Sequence, residues 1–245
     1  HLGVVKKLPV ATGKDYYIVR DDGAVLDIKE NLMPNIQTSE GQRVMVRYDI
    51  LGYGDWYGVQ SYSIKLYTIS DMLLKDVVRQ TEINEDVEKW GEKLGNDPIK
   101  TGHDGGYIWI SGKYLNVELE YYSKNGTSPA HTINLVFDDV ESTDKKAVLK
   151  LRHNAAGDVP STNNSTGFTL KKSIVSFDLS PILPEGAKRI DVVLSWNEFD
   201  NRWSSTKEKY WTDTYIHQDE TIAQTDVHPA TLKDFYKMSV INRMK

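Results

Sequence analysis

Hydrophobic and polar residues alternate with a period of two along much of the chain, most clearly between Gly105 and Asp158. Leu115, Val117, Leu119 and Tyr121 share one parity there, while Asn116, Glu118 and Glu120 take the other. Ile133, Leu135 and Phe137 then alternate with Thr132, Asn134 and Asp138, and Leu149 and Leu151 with Lys150 and Arg152. Such alternation gives each strand one buried and one wet face, which predicts three successive strands of an antiparallel sheet. Asn125-Gly126 supplies residues that tolerate positive φ between the first two, in a loop too long for a minimal hairpin.

Alternation resumes after a polar loop from Asn154 to Lys172, first at Val175, Phe177 and Leu179, then at Ile190, Val192, Leu194 and Trp196. At least five amphipathic strands without an intervening helix predict a β-sandwich over residues 105–245. The segment from Asn197 to Tyr215 is aromatic and charged without a clear period. The tail from His217 ends in a weakly helical stretch near Ala230 to Val240.

Upstream, Tyr16 to Val19 and Ala24 to Ile28 flank Asp21-Asp22-Gly23, a hairpin turn with glycine in the left-handed position. A polar loop follows from Lys29 to Gln42. Val44, Val46, Tyr48 and Ile50 form another strand, which Gly52-Tyr53-Gly54-Asp55 is expected to break, and Tyr62, Ile64 and Leu66 form the next. Four or five strands in so short a span favour a small closed barrel over residues 1–75, since closure removes exposed edges. An oligonucleotide/oligosaccharide-binding (OB) type of barrel has this size, and so does an SH3-like one.

The one convincing helical signal before the C-terminus is Ile83, Val87, Trp90 and Leu94, spaced four, three and four. Asn84 is the expected cap, Gly95 the stop, and Asn96-Asp97-Pro98 prevents continuation. Residues 76–104 therefore read as a helical connector at a domain junction, with Gly102 to Gly106 as the linker. The fold class is all-β: a barrel, a short connecting helix and an antiparallel β-sandwich.

Composition narrows the function classes. With 30 basic and 35 acidic residues the formal net charge is −5, and nucleic-acid binding, which normally needs a basic face, is not expected. No apolar run approaches membrane-spanning length. Cysteine is absent, which removes disulfides, thiolate metal sites and a cysteine nucleophile. Because the chain starts at His1 without an initiator Met, a removed upstream segment is expected, either a signal peptide or one carrying a lipid-bearing cysteine.

Several short motifs occur in a shared order: Tyr16-Tyr17-Ile18-Val19 with Asp21-Asp22-Gly23, Gly41-Gln42-Arg43-Val44, and Tyr48-Asp49-Ile50-Leu51-Gly52. Gly95-Asn96-Asp97-Pro98-Ile99, Tyr114-Leu115-Asn116-Val117, His131-Thr132-Ile133-Asn134-Leu135-Val136 and Leu151-Arg152-His153-Asn154 follow. Joint order carries the specificity, and in it the chain resembles the NigD-like proteins of Bacteroidetes from about residue 10 to 215. The resemblance implies an OB-like domain before a β-sandwich, and export as a lipoprotein of the cell envelope, periplasmic or surface-facing. It also implies a connection with bacteriocin systems. It carries no activity, and the tail beyond about residue 217 departs from the family pattern.

Candidate chemistry is sparse. His131 and His153 both fall on the apolar parity, at opposite chain ends of their strands, so antiparallel pairing would bring the rings together. Asp158 or Asp138 could then complete a metal site or proton-switching cluster; the competing reading, that each histidine satisfies backbone groups at a core edge, is preferred. Asp21-Asp22-Gly23 and Asp138-Asp139 could be calcium ligands or paired acid/base carboxylates, but they lack a calcium loop's series of donors and are read as turn residues. No Gly-x-Ser-x-Gly elbow, phosphate loop or His-Glu-x-x-His is present, so neither a catalytic centre nor a cofactor is expected.

Aromatic residues make the better binding argument. Tyr53, Trp56 and Tyr57 lie at a turn, and Trp203, Tyr210, Trp211 and Tyr215 cluster near the end. Such rings stack on sugars or anchor protein interfaces, or else cover the ends of the two cores. Tyr53, Trp56, Tyr57, Trp203 and Trp211 are the candidate ligand-binding residues. The expected function is an exported, surface-anchored accessory protein, not an enzyme, that recognises a protein or glycan. The alternatives are an envelope-glycan hydrolase with interdomain carboxylates and nucleic-acid binding through the barrel.

Overall fold

A computed structural model describes residues 1–8, 16–56, 58–102, 106–126, 130–184, 186–199 and 205–217. Its described residues form two compact units, the first from His1 to Leu74 and the second from Lys75 to His217. Tyr57, Trp203 and the weakly helical tail near 230–240 lie outside the described residues.

The first unit is a closed five-stranded barrel of β1 (Leu2–Lys7), β2 (Tyr16–Arg20), β3 (Val25–Asn31), β4 (Arg43–Trp56) and β5 (Val59–Asp71). Its order is β1-β2-β3-β5-β4, with β3 and β5 parallel and the other neighbours antiparallel. That Greek-key closure is the OB arrangement. Inward positions Val5, Ile18, Leu26, Val44, Val46, Ile64 and Leu66 form the core. Asp21-Asp22-Gly23 makes the β2–β3 turn with Gly23 at φ +84°, and the Asp22 carboxylate accepts from the Ala24 amide. Asp21 accepts both outer nitrogens of the buried Arg43. The aspartate pair thus holds an arginine and a turn.

Gly52 to Asp55 does not break the strand as expected. β4 runs through it to Trp56 because Gly52, Tyr53, Gly54 and Asp55 each pair with β5, and the glycines are absorbed where the register slips between Ile50 and Gly52. Bulges of this kind bend a strand without ending it.

The predicted single helix is instead two, α1 (Gln80–Glu85) and α2 (Val87–Leu94). Asp86, not Asn84, is the cap: its backbone, at φ −136° and ψ 67°, leaves the helical region and interrupts the helix, and its carboxylate accepts the Lys89 amide, restarting it. Val87 of the predicted apolar stripe is exposed. The Lys93 carbonyl at the end of α2 accepts from the Thr132 hydroxyl and the Asn134 amide, so this helix is fixed to the sheet of the second unit.

The remaining strands are β6 (Leu73–Arg79), β7 (Lys100–Thr101), β8 (Ile108–Ser111), β9 (Tyr114–Lys124), β10 (Thr132–Phe137), β11 (Lys146–Asn154), β12 (Phe168–Asp178), β13 (Arg189–Phe199) and β14 (Thr206–Ile216). They form a nine-stranded sheet in the order β14-β13-β11-β10-β6-β12-β9-β7, with β8 also on β9. The sheet curls so that β9 and β12 face β10, β11, β13 and β14 across one apolar core, which includes Leu115, Val117, Leu135, Leu149, Leu151, Val175, Phe177 and Leu194. Two contacts, β6 with β10 and β11 with β13, are parallel.

The polar face of β9 is not wet, contrary to the alternation argument: Asn116, Glu118 and Glu120 are buried. Asn116 donates to Ser111 and accepts from Ser176, while the main chain of Glu118 bonds to Thr101 and Tyr107. Gly106, expected in a linker, packs so closely on this strand that a Cβ would lie 2.3 Å from the Glu118 carbonyl oxygen.

Candidate functional site

Antiparallel pairing of β10 with β11 sets Ile133 opposite His153. His131, two residues earlier and on the same parity, therefore lies diagonal to His153 on the inner face of the sheet. The rings meet: His131 Nδ1 is 3.0 Å from His153 Nε2. The turn after β11, with Ala156 and Gly157 at positive φ, delivers Asp158, whose Oδ2 is 3.1 Å from His131 Nε2. Asp158 accepts further hydrogen bonds from the Lys124 amide, and Tyr121 packs over both imidazoles. Of the two carboxylates considered for this place, Asp158 occupies it. Asp138 instead accepts from Lys150 at 2.7 Å and from two turn amides.

A carboxylate only accepts, so His131 donates through Nε2 to Asp158. Burial would raise the Asp158 carboxyl, but hydrogen bonds from His131, Lys124 and Ser123 outweigh it and hold it below the ordinary value. Burial pushes His153 down from 6.5 to about 4, and the neighbouring His131 adds to the shift. His153 is thus neutral at ordinary pH. Its Nδ1 is buried, and no hydroxyl among the described residues bonds to it to extend the Asp-His-His chain.

Both nitrogens of His131 are committed, and among the described residues no cluster of three or more His, Asp or Glu could hold a metal ion. The arrangement is a hydrogen-bonded brace across one end of the core.

The aromatic candidates separate. Tyr53 is 79% exposed on β4. Trp56, partly buried at the tip of the same hairpin, stacks on Tyr17 with ring centroids 5.3 Å apart. Trp211 packs against the sandwich core, whereas Tyr210 on the same strand is exposed and its hydroxyl donates to Glu208. Each unit thus holds one of these tryptophans against its own side chains and leaves one of these tyrosines exposed. What the alternation pattern does not reveal is the company of Tyr53: Ile50, Leu51 and Val59 are also exposed on this hairpin. Parity groups Ile50 with the buried Val44 and Val46, and its partner in the register, Ile64, is buried, yet Ile50 itself is exposed.

A family model described as the NigD-like C-terminal beta sandwich domain matches residues 82–210, more than half of the chain. The chain belongs to the NigD-like family. Solved structures extend the likeness beyond the matched residues. A protein of unknown function from Bacteroides vulgatus ATCC 8482 is 23% identical, covers 94% of this chain and 96% of its own, and superposes with a TM-score of 0.64. A NigD-like immunity protein from Bacteroides caccae ATCC 43185 is 18% identical over 88% of this chain and 97% of its own, at a TM-score of 0.62. A candidate lipoprotein from Bacteroides fragilis NCTC 9343 is 19% identical over 89% and 98%, at 0.56. At these identities the likeness is one of fold. Among curated proteins, none matches the chain. The NigD-like match spans α1 to β14, so it takes in His131, His153 and Asp158 and leaves the barrel hairpin outside it.

Proposed function

We propose that this NigD-like chain is an exported accessory protein of the cell envelope that recognises an extended segment of a protein partner on the outer edge of β4. One observation carries the reading. β4 pairs with β1 only over Arg43 to Met45, so from Asp49 to Trp56 its other edge has no partner strand among the described residues, and exposed Ile50, Leu51 and Tyr53 lie on this stretch. Free strand edges normally carry charge or proline as protection against pairing; this one has charge only at Asp49 and Asp55, with the aliphatic and aromatic side chains of Ile50, Leu51 and Tyr53 between them. An edge of that kind accepts an added strand, whose main chain supplies affinity and whose alternate side chains supply specificity. Support for an accessory rather than enzymatic role comes from the structural neighbours described as an immunity protein and a candidate lipoprotein.

The test is site-specific photo-crosslinking in a Bacteroides host, with a benzophenone amino acid replacing Tyr53 or, as a control, Val140, an exposed apolar residue of the second unit. A discrete protein adduct at position 53 and none at 140 is the expected result. Adducts equal at both positions, or none at 53, would remove the reading.

A further inference from the structure

A second surface, independent of the hairpin, lies on the outer face of the sandwich. A depression of about 250 Å³ is lined by Asn96, Lys150, Arg152, Ser195, Asn197 and Glu208, with the main chain of Leu151 and Trp196 beneath. Leu151 and Trp196 send their side chains to the core on the other side of the sheet, which leaves only polar side chains facing the cavity.

Sheet register explains the arrangement. Lys150 lies beside Ser195 in the parallel β11–β13 pair, and continuing that register by two residues brings Arg152 beside Asn197. Asn197 in turn faces Glu208 on β14. One row across three strands therefore reads cation, amide, carboxylate.

The wall is fixed. Asn197 donates from its side chain to the Asn96 carbonyl at 2.7 Å, and its own carbonyl accepts from the Ile99 amide at 2.9 Å. The Asp97 amide donates to the His153 carbonyl at 2.8 Å, and the Asp97 carboxylate accepts from the Ala155 amide. A site held this way loses little freedom when a ligand arrives.

Charge selects the ligand. Lys150 is paired with Asp138 at 2.7 Å, but the partly buried Arg152 has no ionic partner among the described residues. A guanidinium in such a place suits a carboxylate, which it can hold through two parallel hydrogen bonds. On the far side, Ser195, Asn197, Asn96 and Glu208 offer the mixed donors and acceptors that hydroxyl groups need. Exposed Tyr210, beside Ser195 in register and bonded to Glu208, adds a ring face of the kind that sugars stack on. The volume is just below that of pockets for drug-sized molecules, which run from about 300 Å³, and suits one sugar ring.

We propose that this depression binds an acidic saccharide, with the sugar carboxylate on Arg152 and the ring hydroxyls on Asn197, Ser195 and Glu208. Uronic acids and sialic acids share this chemistry, and the test separates them. Glucuronic acid, galacturonic acid and N-acetylneuraminic acid are titrated into the whole chain and followed by the side-chain amide signals of Asn96 and Asn197 in NMR spectra, with glucose and acetate as controls. One acidic sugar is expected to bind at millimolar concentration or below, at least tenfold tighter than glucose or acetate. Arg152→Gln should weaken it at least tenfold with the melting temperature unchanged, while Arg152→Lys retains part of the affinity. Glucose or acetate binding as tightly as the acidic sugars, equal binding to Arg152→Gln, or no response to any acidic sugar would each overturn the proposal.

Discussion

His131 Nδ1 and His153 Nε2 are 3.0 Å apart, and only one proton can lie between them. Burial disfavours a charge on the His153 ring, and the neighbouring His131 adds to that, so the ring resists protonation. That is the physical content of the low His153 value. The unfolded chain takes up this proton near 6.5, and the folded chain does not until about 4. Stability from this group is therefore fully present above 6.5, falls as pH drops from 6.5 to 4, and is flat below. The difference amounts to about 3 kcal/mol, since each tenfold loss of proton affinity on folding is worth about 1.36 kcal/mol.

Urea unfolding of the second unit at pH 7 and pH 4.5, followed at the tryptophans of the sandwich, tests this. His153→Gln should flatten the pH dependence over that window whatever it does to absolute stability. An unchanged slope would place the titration elsewhere.

Arg43 and Asp21 form a buried ion pair in the barrel, with side chains 0% and 9% exposed. Removing one partner leaves a buried charge without compensation, which costs about 3–5 kcal/mol. Arg43→Met should therefore destabilise the barrel strongly, and the double variant Arg43→Met with Asp21→Asn should recover part of the loss. Thermal melts of the three proteins decide it.

The strands of the curled sheet are legible in the sequence because the apolar parity at Leu115, Leu149, Val175 and Ile190 is buried, although on β9 and β10 the other parity is buried as well. Even the approach of His131 to His153 is readable, since both lie on the apolar parity of neighbouring strands. β1 escapes the pattern, as Leu2 to Lys7 is short and carries only three apolar side chains. β14 escapes it because its partner face shows only Trp211 and Tyr215 among charged and polar residues. The break of the helix at Asp86 is hidden because an aspartate in mid-helix and an aspartate cap look alike until the Lys89 amide is seen bonded to it. The polar depression is illegible for a different reason. Arg152, Asn197 and Glu208 come from three strands, and only the parallel pairing of β11 with β13, which alternation does not reveal, sets them in a row.

Tyr53 and Leu149 make opposite predictions from burial alone. Leu149 is 0% exposed in the sandwich core, and Leu149→Ala should cost about 2–5 kcal/mol. Tyr53→Ser, on the exposed hairpin, should stay within about 0.5 kcal/mol of the parent. Chemical denaturation of both variants checks the contrast. A large loss at Tyr53 would mean that its ring belongs to the fold and is not available to a partner.

Gly95 joins the fold to the depression. Its φ is +57°, and a Cβ there would lie 2.5 Å from the His153 carbonyl oxygen and 2.7 Å from the Asn154 Cα. Both obstacles are main chain, so neither can swing aside. Gly95→Ala must instead move the segment that carries Asn96 and Asp97, the wall fixed to Asn197, Ala155 and His153. The positive φ alone costs about 1–3 kcal/mol for a residue with a side chain, and the close approach adds to it. The expected result is a lower melting temperature together with loss of the Asn96 and Asn197 amide signals from their parent positions. Gly126→Ala is the comparison. That glycine also has positive φ, +81°, but nothing lies within 4 Å of its Cβ position, so it should show the backbone cost without the displaced wall. Equal effects at the two glycines would mean that conformational strain acts alone and that the contact with His153 contributes nothing.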